Sequence, residues 1–443
     1  MSGTSAKHSL QAGLLLGLAT AAIYMIGSRR SFGYDAAATF ANFVATPSLL
    51  DAFAVRSVIP TIPVTQVATN DHVLLSLLSH LIYSATGLRN EWVYRLLPAL
   101  AAGGTVGVST SVLARRFGLV AGVCAGLFIA TDPLFVDNSR DVRGYSLAAL
   151  GCVVGTLILA GRWTRWRLAA YAAIMGLAIA AQLFAGVVLL CHVAWILSRS
   201  RSQALRLLPA WGAGGAIGVA AYANIYYLEL TQHGLPPPLF NPDFPLYLVL
   251  FLVGAPVLLP VGLWLATVGL GAWTQRRQVW LWTTAGVVAV AVAVLWLGLR
   301  PAFLYPRFFV FLVPAFAYLV GAAIARWWVL APVVVAGAAA AVLGQAPAYL
   351  VDPLALPQAA EVVESMQRAG QTACVVHSDE QVLSAYTSDF EVVSSPDQLD
   401  RCDAVVVVSW GVDLPLRDEA ARRFPSLTTL PAYYPAVVLR REG

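Results

Sequence analysis

The chain has 443 residues, 59% of them hydrophobic and 12% charged, with a mean hydropathy of +0.72 and a formal net charge of +5. A soluble protein carries about 45–50% apolar and about 25% charged residues, so the composition excludes a soluble enzyme, a disordered chain and a secreted disulfide scaffold. Long Ala/Val/Leu-rich runs separated by short arginine-bearing loops point instead to a polytopic α-helical membrane protein, since a bilayer core takes ~20 apolar residues per helix. A transmembrane β-barrel does not fit.

Eleven apolar spans are predicted, near residues 9–27, 92–113, 118–135, 145–160, 168–181, 183–197, 207–227, 245–271, 279–299, 307–325 and 327–345. The first reads as a signal anchor, because no small-residue cleavage site follows it. The connection after it, residues 28–91, is the longest in the membrane portion. Within it, Tyr34-Asp35 precedes a helix-compatible stretch, Ala36–Ala45, stopped by Pro47. Val73–Ala85 follows, too short to cross a bilayer. Its polar neighbours His72, Ser76, Ser79, His80 and Tyr83 recur at helical spacing. Two amphipathic helices at the membrane surface are therefore expected, with their polar groups turned to a cavity. The plainer alternative is that they only fill the gap between spans, with Asp35 as an N-cap.

Charge is distributed unevenly. Up to about residue 345 there are 21 basic and nine acidic residues; beyond it there are seven and fourteen. A cytoplasmic N-terminus places twelve of the 21 cations inside and nine outside, the sense the positive-inside rule favours. All nine acids then lie outside: Asp35, Asp51, Asp71, Glu91, Asp132, Asp137, Asp141, Glu229 and Asp243. An odd number of spans sends residues 346–443 to the same side. The division is thus a membrane domain, 1–345, with its first outer loop at 28–91, and an extracytoplasmic domain, 346–443.

The tail alternates helix-like and strand-like segments: Gln358–Arg368 closed by Gly370, Thr372–His377, Glu391–Ser395, Asp403–Trp410, Leu416–Phe424 and Ala436–Arg440. That predicts a small α/β domain. Cys374 and Cys402 lie beside its strands, where an oxidising compartment permits a bridge without requiring one. Cys124, Cys152 and Cys191 sit in apolar spans and read as small buried hydrophobes.

Two further segments carry chemistry. Residues 131–145, TDPLFVDNSRDVRGY, hold three carboxylates and two guanidiniums at an outer junction of spans. Arginine there opposes the topogenic bias, which favours a ligand-binding role over a solvated turn capped by Asp141. Residues 300–308, RPAFLYPRF, put Arg307 at the head of a span, where it either snorkels to the interface or grips a lipid phosphate.

Taken in order, the first-loop Asp35, the Asn70-Asp71-His72 segment before a juxtamembrane helix, Ser139-Arg140-Asp141-x-Arg143-Gly144-Tyr145 and Pro306-Arg307-Phe308 resemble the GT-C glycosyltransferases. The branch is that of bacterial aminoarabinose transferases and protein O-mannosyltransferases, glycosyltransferase family 39, and the resemblance covers residues 9–325. It implies a sugar donor on a polyprenyl phosphate, inverting transfer outside the cytoplasm, and Asp35 as the catalytic acid of the first loop. Asp141 matches the acid of the Ser-Arg-acid segment and is the second catalytic candidate; Arg140, Arg143 and Tyr145 match its neighbours and Arg307 the late arginine, all four as donor-binding candidates. Two departures stand out. Ala36 replaces the second acid of a common pair, and Phe308 a more usual Tyr.

The residue types suit the chemistry. A carboxylate, Asp35, can take the proton of an acceptor hydroxyl. Arg307, Arg140, Arg143 and His72 can stabilise the phosphate that leaves. The implied partners are the lipid bilayer, the polyprenyl-phosphate-linked sugar and an extracytoplasmic glycan, lipid or protein, with no nucleic acid among them. No cofactor is required; a divalent cation would draw on Asp35 and Asp137, together with Asp141 and His72, although no ligand spacing supports one. The rivals are a transporter or flippase of lipid-linked glycan, for which His192, Gln182 and Asn224 are the polar residues inside spans, and a non-catalytic envelope-assembly protein.

Overall fold

The computed structural model describes residues 3–28, 31–53, 72–223, 242–252, 261–299, 304–350, 356–376, 380–407, 414–424, 426–429 and 437–440. Asn70, Asp71, Asn224, Glu229, Arg300, His377 and Asp379 lie outside them. Helices occur at each of the eleven expected places. Six are long and apolar enough to cross a membrane: Ala6–Met25, Glu91–Phe117, Arg201–Ala221, Val279–Leu297, Pro306–Arg326 and Trp328–Ala346. A seventh span results if Leu119–Thr131 and Pro133–Ser139, which meet at 59°, count as one. The others are shorter apolar helices such as Tyr145–Ala160.

The chain divides into two compact units. The first comprises residues 1–25, 72–75 and 95–346. Its helices approach closely because small residues line their contacts, as packing in lipid requires. A Cβ on Gly17 would lie 2.6 Å from the Gly103 carbonyl oxygen, and one on Gly271 only 2.0 Å from that of Leu319. The outward faces are apolar: Val279–Leu297 buries none of its span within the protein, and Leu343 is 74% exposed. Such surface belongs against lipid. This unit is that of a polytopic membrane protein.

The second unit comprises residues 26–71, 76–94 and 347–443. Its tail forms a five-stranded sheet from β1 (Ala373–Val376), β2 (Glu391–Val393), β3 (Ala404–Val407), β4 (Ser426–Thr429) and β5 (Val437–Arg440), in the order β2-β1-β3-β5-β4. Strands β1, β2 and β3 run parallel, with Cys374 opposite Glu391 and Val405; β5 is antiparallel to both β3 and β4. Helices Leu356–Arg368 and Leu414–Arg423 complete the α/β arrangement. The first ends on Gly370, whose φ of +74° is the left-handed turn a glycine supplies most cheaply. The sheet buries Val376, Val393, Val405 and Leu439 with Leu416 and Phe424 of the flanking segments. Cys374 and Cys402 are joined in a disulfide across this core, with Cα atoms 5.8 Å apart, whereas Cys124, Cys152 and Cys191 are free and buried.

The first loop contributes helix Tyr34–Thr39, which continues as a π-helical turn Phe40–Val44, and the helix Val73–Thr86. Ser76 and Ser79 are fully buried, and His80 uses both ring nitrogens: Nδ1–H donates to the Val44 carbonyl at 3.0 Å, and Nε2 lies 3.0 Å from Ser84 Oγ. The polar stripe of this helix thus faces protein, where the sequence had suggested a cavity.

Candidate active site

The segment 131–145 owes its shape to two local signals. Asp132 closes Leu119–Thr131 and N-caps Pro133–Ser139: its Oδ1 accepts the Phe135 N–H at 2.9 Å, with Pro133 supplying the preset φ of a first helical position. The chain then turns through residues 140–144, and Tyr145 begins the next helix behind Gly144. Asp141 does not cap that helix. Its Oδ1 instead accepts the Val142 N–H at 2.9 Å, steadying the turn.

The turn is not a solvated one. Arg140 and Arg143 are each 2% exposed and Tyr145 is 3% exposed, while Asp141 is half-buried and Asp137 stands on the exposed face of its helix. Burying a guanidinium is costly unless oxygen atoms surround it. Two such groups lie here within four residues of each other.

His72 joins this junction. Its Nδ1 lies 2.8 Å from the Ala181 carbonyl oxygen, and its ring meets Tyr145 edge-on with centroids 4.8 Å apart. A carbonyl only accepts, so Nδ1 carries the hydrogen. Gly144 passes the same carbonyl so closely that a Cβ would sit 2.1 Å from it. Two sequence-predicted residues, His72 and Tyr145, are thus brought together by a glycine whose role sequence reading missed.

Arg307 stands in a tight helical segment, Pro306–Leu312, that packs against both Pro133–Ser139 and Tyr145–Ala160. Its guanidinium lies 4.7 Å from the Tyr305 ring centroid, a cation–π contact that fixes a flexible side chain. Phe308 stacks on Phe184 at 5.1 Å, with the rings 6° from parallel. The phenylalanine in place of tyrosine thus serves packing.

Asp35 belongs to the second unit. It is half-buried in the first turn of Tyr34–Thr39, whose N-cap is Gly33, so it is not the cap that the plainer sequence reading allowed. Ala36 and Ala37 are fully buried.

Among the described residues, no three His, Cys, Asp or Glu side chains group as metal ligands would. Of the polar residues inside spans, His192 receives Tyr171 Oη at 2.9 Å on Nδ1 and meets Thr156 Oγ1 at 3.0 Å on Nε2. Thr156 donates to the Cys152 carbonyl at 2.7 Å. The direction of the chain is then fixed: Tyr171 gives its proton to Nδ1, and Nε2–H gives to Thr156. Gln182 is equally occupied, its side-chain oxygen accepting the Phe184 N–H.

No protein-family model and no curated protein sequence matches the chain. Solved structures do. Over 96% of this chain and 97% of the other, it superposes with a TM-score of 0.57 and 16% identity on ArnT from Cupriavidus metallidurans, determined bound to undecaprenyl phosphate. All of it superposes on 40% of the mycobacterial arabinofuranosyltransferase AftD, with a TM-score of 0.57 and 14% identity. The fold is therefore that of the GT-C glycosyltransferases.

Proposed function

We propose that the protein is a membrane glycosyltransferase that moves a sugar from a polyprenyl-phosphate carrier to an extracytoplasmic acceptor. The observation that carries this reading is the likeness to ArnT along nearly the whole of both chains, a protein solved with undecaprenyl phosphate. The buried guanidiniums and the anchored His72 supply the matching chemistry in this sequence. The remaining topology follows the sequence reading, with eleven spans and the C-terminal domain outside.

In the proposed reaction, Asp35 takes the proton of an acceptor hydroxyl as its oxygen attacks the anomeric carbon. Attack comes from the face opposite the lipid phosphate. The carbon–oxygen bond to that phosphate breaks, polyprenyl phosphate departs with the electron pair, and the configuration inverts. Negative charge grows on the departing oxygen, where preorganised cations lower the barrier most. Arg307 is assigned to the lipid phosphate, with Arg140, Arg143 and protonated His72 as further donors. Tyr145 orients His72 through their ring contact, and Asp141 secures the turn that carries the two arginines.

A transporter would place ionisable groups along a path through the bilayer. His192 and Gln182 are instead occupied by neighbours in the protein, which favours the enzyme. The experiment that separates the two supplies detergent-solubilised protein with undecaprenyl phosphate carrying a pentose or a hexose, plus a cell-envelope extract as acceptor. An enzyme releases free undecaprenyl phosphate without any second compartment. Absence of release with every donor, despite binding, favours the carrier.

A further inference from the structure

A helical stretch as short as Tyr34–Val44, eleven residues, does not hold its own position: isolated helices shorter than ~12–15 residues are marginal in water. Asp35 rides on such a helix, so whatever places its carboxylate lies elsewhere in the unit. The contacts are specific. The Phe32 N–H donates to Tyr386 Oη at 2.6 Å, and the Leu356 N–H donates to Ser31 Oγ at 2.8 Å. Phe32 is fully buried, its ring 5.8 Å from Tyr386, 5.2 Å from Phe40 and 6.4 Å from Tyr94. The short helix Glu380–Leu383, just before Tyr386, packs on Tyr34–Thr39. Tyr386 and Leu356 both belong to the tail that builds the sheet.

We propose that Tyr386 is a positioning residue: its hydroxyl fixes the backbone three residues ahead of Asp35, and through it the C-terminal domain acts on the reaction. The proposal rests on the reading of Asp35 as the base. Phenylalanine would fill the same space against Phe32, so packing alone does not call for the hydroxyl; the Phe32 N–H does. Misplacing a catalytic group by about 1 Å can cost ~100-fold in rate, which makes a single backbone anchor worth keeping.

The test uses the full-length protein with undecaprenyl phosphate carrying a pentose or a hexose, whichever the wild type cleaves. Tyr386→Phe is expected to lower kcat about tenfold with donor KM within twofold, and to speed amide exchange over residues 32–38. Added to Asp35→Asn, it is expected to leave the residual rate unchanged, since a residue acting through Asp35 has nothing left to position. Val393→Ala, which opens the C-terminal core, a cluster that includes neither Tyr386 nor Phe32, is expected to lower the melting temperature but not kcat. The proposal is overturned by wild-type kcat in Tyr386→Phe, by the same fractional loss in both backgrounds, or by an equal kcat loss in Val393→Ala. Near-normal turnover in Asp35→Asn overturns the base and this proposal together; unchanged exchange in Tyr386→Phe, with Asp35→Asn inactive, overturns this proposal alone.

Discussion

Arg307 is held by Tyr305, the residue just before the tight helical segment Pro306–Leu312 in which the arginine stands. A hydrogen bond involving a charged group contributes about 1.5–3 kcal/mol, equivalent to roughly 10- to 150-fold in affinity. Arg307→Ala is therefore expected to raise the donor KM by roughly that factor and to leave the acceptor KM unchanged, as steady-state kinetics with each substrate varied will read. An effect confined to the acceptor would remove Arg307 from the phosphate. The residue itself was legible in the sequence, because a lone arginine before an apolar run is conspicuous. Its platform was not, since Tyr305 is only one of several aromatics nearby. Asp132 shows the opposite case: it stood in the acid-rich segment as one carboxylate among three, and only the 59° bend identifies it as the cap that turns the chain.

At the scale of elements, the junction of Tyr145–Ala160 with the end of Arg165–Ala181 depends on Gly144, where a side chain would collide with the Ala181 carbonyl. That carbonyl also holds His72. Gly144→Ala is expected to cost about 1–3 kcal/mol through overpacking and to weaken donor use as well, because moving Ala181 moves the histidine. Gly186→Ala is the control, since a Cβ there meets nothing within 4 Å. A thermal melt and donor KM on both variants decide it; a neutral Gly144→Ala would contradict the close approach. Hydropathy marked eleven apolar stretches, and a helix occurs at each, six of the helices being long and apolar enough to cross a membrane. It did not find the breaks, because a bend such as that at Asp132 depends on one cap and one proline inside an apolar run. In the tail, the buried strands β1 and β3 read as Val-rich runs, whereas β4, Ser426-Leu-Thr-Thr429, has too little apolar character to announce itself and is held by pairing with β5.

For the whole molecule, the first loop and the tail, far apart in sequence, fold into one unit. Linear reading placed them on the same side of the membrane but could not pair them, because Ser31 with Leu356 and Phe32 with Tyr386 are single contacts across more than three hundred residues. Asp35 is singled out in the sequence by its place after the first apolar helix, and Ala36 beside it is fully buried. Proton removal in the proposed reaction depends on that carboxylate. The decisive measurement is turnover by Asp35→Asn, purified in detergent and verified as folded by its melting temperature, with release of free undecaprenyl phosphate as the readout. Loss of a positioned base predicts a fall of about 10²–10⁴-fold with donor binding retained; release at a near-normal rate would contradict it.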